Sequence, residues 1–323
     1  MKRLGIGLIH RWGRLGPQWL PFADAATDEL PLSRLLRLSL FQVSVGMATG
    51  LLVGTLNRVL IVELGVAAWL VALMVALPLV FAPFRALLGF KSDHHRSAFG
   101  WRRVPYIWMG SFLQFAGLSM MPFSLLLLGG DHNGPTWLGH AAAALAFLLV
   151  GAGMQTVQTA GLALAADLAP ERVRPRVVAL MYTMLLLGML GFGALFGVLL
   201  TGFTPTRLIQ VVQGAAVLTV VLNLAASWKQ EPRRAAVPKS ARQAAPSFSA
   251  TWARFASAGQ TVRFMVAVAL GTAAFNMQDI ILKTYGGEVL KLSVSATTAL
   301  TALTALGALA AFALGARQLG RGA

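Results

Sequence analysis

The sequence predicts an all-α polytopic membrane protein with eight spans: a six-helix bundle, a polar linker and two further helices. Three observations predict it. First, 57% of the 323 residues are hydrophobic and only 12% are charged, with mean hydropathy +0.69. A soluble domain carries about 25% charged residues, so hydrocarbon is the solvent for most of this chain, which excludes an ordinary cytosolic enzyme and a disordered protein. Second, eight apolar runs reach the roughly 20 residues that a helix needs to cross a bilayer. They lie near 37–61, 66–90, 104–129, 138–166, 177–200, 207–227, 263–284 and 292–316. In lipid an open strand leaves backbone groups without partners, and no barrel-like alternation is present, so the runs read as helices. Third, Lys and Arg are segregated to one side of these spans.

Of the 27 Lys and Arg, 23 fall in the N-terminal segment, the second, fourth and sixth connections and the C-terminus. Only Arg58, Arg207, Lys283 and Lys291 fall on the opposite side. The basic side therefore reads as cytoplasmic, with both termini there. The formal charge of +16 reads as topology and contact with anionic lipid, not as a nucleic-acid surface. Near the N-terminus, Leu4, Leu8, Trp12 and Leu15 recur at helical spacing, with Arg3, His10, Arg11 and Arg14 on other faces and Pro17 closing the pattern. That predicts an amphipathic interfacial helix, with a frayed tail as the alternative, and no cleavable signal. The segments read as a cytoplasmic N-terminal stretch (1–36), a six-helix bundle (37–227), a Pro- and Ser-containing cytoplasmic linker (228–262) and a partial C-terminal bundle (263–323).

No catalytic constellation emerges, so the chain does not read as an enzyme. It has no cysteine, which removes disulfides, thiolate metal sites and iron–sulfur clusters. His10, His94, His95, His132 and His140 lack metal-site spacing, and no phosphate-binding glycine loop with lysine occurs. Neither a metal nor a nucleotide is expected. Ionisable groups within spans are functional candidates because burying them is costly. Asn57 and Arg58 lie near the end of the first span, with Glu63 five residues beyond Arg58. Asp279 lies in the seventh span beside Asn276 and Gln278, with Lys283 one turn on. Each set reads either as interfacial or helix pairing or as a polar contact facing a central cleft. Arg85 reads as a snorkelling side chain. Gln42, Gln114, Gln155 and Gln158 add neutral hydrogen-bonding groups. Gly46 and Gly50, and Gly188, Gly191, Gly193 and Gly197, read as helix-packing positions.

The second connection carries Gly89, Asp93, Arg96, Gly100, Arg102 and Arg103. A positive-inside loop explains the arginines but not Asp93. The pattern resembles the loop between spans two and three of the major facilitator superfamily, with an insertion between Asp93 and Gly100. Gly89 is expected to permit a tight helix exit, Asp93 to cap a helix N-terminus or pair with Arg, and Arg102 and Arg103 to pin the loop to the inner leaflet. Asp167, Glu171, Arg172 and Arg174 follow span four, where the resemblance implies a charge network joining the two loops on the inner face. Residues 315–321 weakly echo the first loop. The resemblance implies a facilitator-like fold, with a complete N-terminal six-helix half and two helices of a second half, and hence a chain shorter than a full facilitator.

The segments Leu20–Pro31, Leu40–Met47, Gly54–Gly65, Phe81–Leu88, Gly100–Trp108, Met277–Ile281 and Tyr285–Leu290 resemble the PucC/LhaA-type, or bacteriochlorophyll-delivery, branch of that superfamily. This resemblance implies a membrane factor for photosynthesis that assembles light-harvesting antenna complexes. Its implied partners are bacteriochlorophyll, as cargo or bound pigment, antenna polypeptides or the reaction-centre antenna complex, and membrane lipids, with no nucleic acid. A bound pigment would take His140, an amide carbonyl, a backbone oxygen or water as ligand, with Trp69, Trp108, Phe112 and Phe115 as apolar contacts. The alternatives are secondary transport of a small solute or tetrapyrrole, and a purely structural partner.

Overall fold

In a computed structural model of the chain, the described residues are 25–27, 30–57, 59–95, 97, 100–128, 136–200, 203–232, 247–257, 259–288 and 290, with 307, 310, 311 and 314. The N-terminal amphipathic segment, Arg58, Arg96 and nearly all of the predicted eighth span lie outside them. Among the described residues every regular element is helical. The chain divides into two compact units, Met1–Ala236 with Phe312–Ala323, and Val237–Ala311.

The first unit holds α1 (Leu32–Leu38), α2 (Leu40–Thr49), α3 (Ala68–Ala76), α4 (Phe84–His94), α5 (Val104–Leu128), α6 (Thr136–Leu168), α7 (Arg174–Leu199) and α8 (Pro205–Ser227). Among the described residues, five helical runs are long and apolar enough to cross a bilayer: Leu32–Ile61, Ala68–His94, Trp137–Leu168, Glu171–Leu199 and Pro205–Ser227. α5, 25 residues without a charged side chain, follows the second of these. Large apolar side chains point outward along them, Trp69 at 71% exposure and Phe112 at 60%, as expected where lipid is the solvent.

Two spans depart from the plain helices predicted. After α2 the first span widens into π-type turns over Gly50–Leu56 and Val59–Glu63. Leu64 N–H accordingly reaches back to Val59 O at 3.0 Å. The second span tightens to a 3₁₀ stretch, Leu77–Phe81, between α3 and α4. Pro78 lacks the N–H that a regular helix would use there.

Backbone approach at glycine sets the packing. α2 lies against α7 and α8, and α5 against α6 and α8. A Cβ on Gly46 would collide with Leu185 O and sit 2.8 Å from Met189 N, and one on Gly188 would sit 2.7 Å from Val43 O. Gly117 would meet Val150 N at 2.7 Å, and Gly110 would meet Gly153 O at 2.9 Å. In contrast, Gly191, Gly193 and Gly197 have nothing within 4 Å. These three glycines, expected as packing positions, face away from neighbouring helices.

Two buried apolar clusters stack along the unit. One includes Leu35, Phe41, Val45, Ile107, Val157, Leu164, Val177 and Ala226. The other includes Met47, Leu51, Leu118, Phe147, Val150, Val212 and Ala216. The second unit holds α9 (Phe248–Ser257) and α10 (Gly259–Glu288). α9 falls inside the segment expected to be linker, where aromatic residues at helical spacing interrupt the Ser, Pro and Arg.

Gly46→Ala is expected to lower bundle stability by about 1–3 kcal/mol, because a backbone carbonyl cannot move aside. Gly191→Ala should be neutral or mildly stabilising, since Ala favours helix by up to ~1 kcal/mol where space is free. Melting midpoints of purified variants in detergent check the pair.

Candidate functional site

The arginine-rich end of the first unit gathers most of its hydrogen-bonded charge. α4 runs through Ser92 and Asp93 to His94. The chain then turns back at Gly100, whose φ of +79° is a left-handed conformation that suits glycine. Ser97 Oγ accepts from Trp101 N at 2.9 Å, and α5 starts at Val104. Arg103, only 5% exposed, points inward. Its Nη1 donates to Ser92 Oγ at 2.6 Å, its Nε to Asp167 Oδ2 at 3.1 Å, and its Nη2 pairs with Asp93. Arg102 Nη2 reaches the same Asp167 oxygen at 2.5 Å. One planar guanidinium thus joins α4, α5 and α6, which its fixed fork of donors permits and a lysine would not.

Glu231, four residues past α8, completes this end. Its Oε1 accepts from Arg102 N at 2.8 Å, and its Oε2 from Arg103 N and Val104 N at 2.9 Å. The first N–H groups of a helix have no partner within it and carry partial positive charge. A carboxylate from a distant part of the chain satisfies the first of these in α5, that of Val104, and the two backbone N–H groups just before it. Beside it, Gln230 Oε1 accepts from Arg34 Nε at 2.9 Å, and Gln230 O from Arg34 Nη2 at 2.8 Å. Trp108 Nε1 donates to Ser227 Oγ at 3.0 Å. The α8 exit is thereby fastened to α1 and α5. Sequence reasoning missed Glu231 and Gln230, because their partners are remote in sequence.

The predicted positions separate clearly. Asp93, Arg102, Arg103 and Asp167 come together, and Asp93 pairs with Arg103 rather than capping a helix N-terminus. Gly89 lies within α4, so it is not a helix exit, and a Cβ there would meet only Thr159 Cγ2 at 3.8 Å. Arg102 and Arg103 turn into the cluster instead of pinning a loop to a leaflet, because Asp167 and Asp93 draw them inward. Glu171 is 89% exposed and pairs with Arg174 at 3.4 Å. Arg172 is exposed. Arg174 Nε donates to Ala166 O and Ala169 O, closing the end of α6. Arg85 Nε donates to Thr159 Oγ1 at 3.2 Å, so it is held by α6 rather than snorkelling. Asn57 is partly buried beyond the π-type turns. Arg58 and Arg96 lie outside the described residues, and so do the side chains of Glu63, Asn276, Gln278, Asp279 and Lys283.

Between the two apolar clusters lies a band of buried polar groups. Gln42, Ser44, Gln114, Thr219 and Asn223 are fully buried. Ser44 Oγ, Thr219 Oγ1 and both amide atoms of Gln114 and Asn223 have no protein partner. Gln155 Oε1 also lacks one, while Gln158 Nε2 lies 3.5 Å from Gln42 Oε1. Gln114, Gln155, Thr219 and Asn223 fall where one cluster ends and the other begins, whereas Gln42 and Ser44 lie between Phe41 and Val45 of the first cluster. Elsewhere, α7 and α8 frame an apolar groove of about 580 Å³, lined by Phe192, Phe196, Leu199, Val211 and Leu218, with Arg207 and Gln210 from the start of α8. Of the aromatic and imidazole groups named for a pigment, Trp69 and Phe112 face outward and Trp108 is engaged by Ser227. His140 is exposed near the start of α6.

A family model described as PUCC protein matches residues 55–323. The chain belongs to the PucC family. It is 53% identical over its whole length to Protein PucC of Rhodovulum sulfidophilum, covering 72% of that protein. It is 54% identical over 98% of its length to Protein PucC of Rhodobacter capsulatus, covering 69% of it. Another relative, an uncharacterized protein of the puhA-bchM intergenic region of Rhodobacter capsulatus, is 54% identical over 96% of the chain, which spans 65% of it. A more distant one, the bacteriochlorophyll synthase 44.5 kDa chain of Rhodobacter capsulatus, is 26% identical over 82% of the chain and 59% of its own length. This PucC-family chain thus spans about two thirds of its relatives' length, and the charged cluster and Glu231 lie within the matched region.

Arg103→Ala is expected to destabilise the first unit by about 2–3 kcal/mol, below the full effect of breaking a buried pair, because Asp93 and Asp167 are half-exposed. Glu231→Ala should lose about 1–3 kcal/mol by stripping three backbone N–H groups at the entry to α5 of their acceptor. Glu171→Ala should change stability by less than about 0.5 kcal/mol. Unfolding of the three variants in detergent, followed by circular dichroism, checks this order.

Proposed function

We propose that this chain is a membrane assembly factor for photosynthetic light-harvesting complexes, binding or passing bacteriochlorophyll and docking antenna polypeptides. The observation that carries the reading is 53–54% identity to proteins named PucC along essentially the whole chain. The name of the distant relative, a bacteriochlorophyll synthase chain, supports the same pigment chemistry. In this reading the protein adopts the six-plus-two facilitator arrangement in a bacterial inner membrane. Its arginine-rich end faces the cytoplasm, and it performs no catalysis of its own.

Secondary transport of a small solute is the competing reading, favoured by the facilitator-type residues Gly89–Arg103. The carboxylates weigh against it. Within 37–227, Glu63, Asp93, Asp131, Asp167 and Glu171 all lie at the ends of spans or between them. Coupled transporters place ion and substrate sites near the bilayer midplane. The six-helix segment offers that depth only neutral amides and hydroxyls. These, with the apolar groove, suit a macrocycle carrying a hydrocarbon tail better than a charged solute.

Deleting the gene in the bacterium that carries it is expected to remove near-infrared antenna absorption while pigment synthesis continues. Unchanged antenna bands would defeat the proposal. The protein isolated in mild detergent from pigmented membranes should carry bacteriochlorophyll. Asp279→Asn should leave antenna levels within about twofold of the parent if helix pairing is its only role. A larger loss would place it in a functional cleft.

A further inference from the structure

The segment between α8 and α10 was expected to be a polar linker, yet it contains a helix with an aromatic ridge. Phe248, Trp252 and Phe255 share one stripe of α9, with ring centroids 6.1 and 5.9 Å apart along it. Trp252 is 46% exposed and Phe255 45%, and no residue of α9 is buried. Ala250, Ala253, Arg254 and Ser257 form the opposite side at helical spacing. A ten-residue helix is marginal in water on its own, and an exposed ridge of large aromatic rings marks a surface that meets something apolar.

We propose that α9 is an interfacial helix whose Phe248–Trp252–Phe255 ridge seats in the headgroup layer of an anionic leaflet. Three features on the chain select lipid as the occupant. Only Ala258 separates α9 from α10, which continues with the exposed apolar residues Phe264, Val266, Val268 and Leu270, so a membrane-inserted α10 holds α9 at the bilayer boundary. In the sequence, the apolar runs 207–227 and 263–284 flank this segment, and two successive spans leave their connection at one face of a bilayer. Residues 229–263 carry seven Lys and Arg against the single carboxylate Glu231, which is already engaged by α5. Aromatic rings favour the interface and cations favour anionic headgroups. The inference does not depend on which cargo the protein handles.

The chain has no cysteine, so single labels are clean. Thr251→Cys, flanking the ridge, and Ala250→Cys, opposite it, would each carry an environment-sensitive fluorophore. The full chain would be reconstituted in vesicles of phosphatidylethanolamine and phosphatidylglycerol. The label at 251 is expected to be quenched by spin-labelled lipid and to be several-fold less accessible to iodide than the label at 250. Adding Trp252→Ser and Phe255→Ser, with monodisperse elution as the check on folding, should restore iodide access at 251. Equal iodide access at both sites, or protection that survives loss of both rings, would overturn the proposal. So would shielding of 251 from iodide and spin-labelled lipid alike, which would mean that protein covers the ridge.

Discussion

An apolar helix gains little by leaving lipid tails for another apolar helix, and the first unit is built around that constraint. Close backbone approach replaces the missing drive. At Gly46 against Leu185 and Met189, at Gly110 against Gly153, and at Gly117 against Val150, a single added carbon has no room. Such contact brings neighbouring side chains into dispersion range along whole helices. It also fixes register: once α5 and α6 meet through Gly110 and Gly153, the basic end of α5 lies against the end of α6. There Arg103 finds Asp167.

The charged cluster follows from that register. A guanidinium at 5% exposure demands acceptors, and Arg103 finds them on α4 and α6. Its carboxylate partners remain half-exposed, so solvent weakens each pair. The cluster fixes geometry more than it adds stability, holding three helix ends in one arrangement. Glu231 extends this to the α8 exit, because a carboxylate held by three backbone N–H groups cannot drift from the start of α5. The chain beyond α8 is therefore anchored at Gln230 and Glu231.

Much of this architecture was legible in the sequence, and the reason is the solvent. Hydrocarbon enforces hydropathy strictly, so the runs near 104–129 and 138–166 match α5 at Val104–Leu128 and α6 at Thr136–Leu168. Features that leave hydropathy unchanged were not legible. The π-type turns after Gly50 alter hydrogen-bond spacing without altering composition. Glycine spacing does not say which face is covered, so Gly188, which touches Val43, looked the same as Gly191, which touches nothing. α9 was hidden because Ala and Ser dilute its aromatic stripe within a Pro- and Arg-rich stretch. Asp93, Arg102, Arg103 and Asp167 were marked by resemblance to a family pattern, whereas Glu231 belongs to neither quoted loop and shows only in the folded chain.

The buried polar band bears on the proposed role. Gln114 and Asn223 place four unpartnered amide atoms between two apolar clusters, where each is costly. A bundle selected for stability alone would carry apolar residues there, since replacing unpaired buried polar groups by apolar ones of similar shape is often neutral or better. Neutral amides both donate and accept, and they attract no ion strongly. Recognition through such groups and an apolar groove depends on shape, dispersion and a few directional bonds. A tetrapyrrole pigment or an antenna helix presents chiefly those properties, and a small charged solute does not. Within 37–227, carboxylates at the span ends and a buried amide midway along α5, Gln114, suit the proposed handling of an apolar partner.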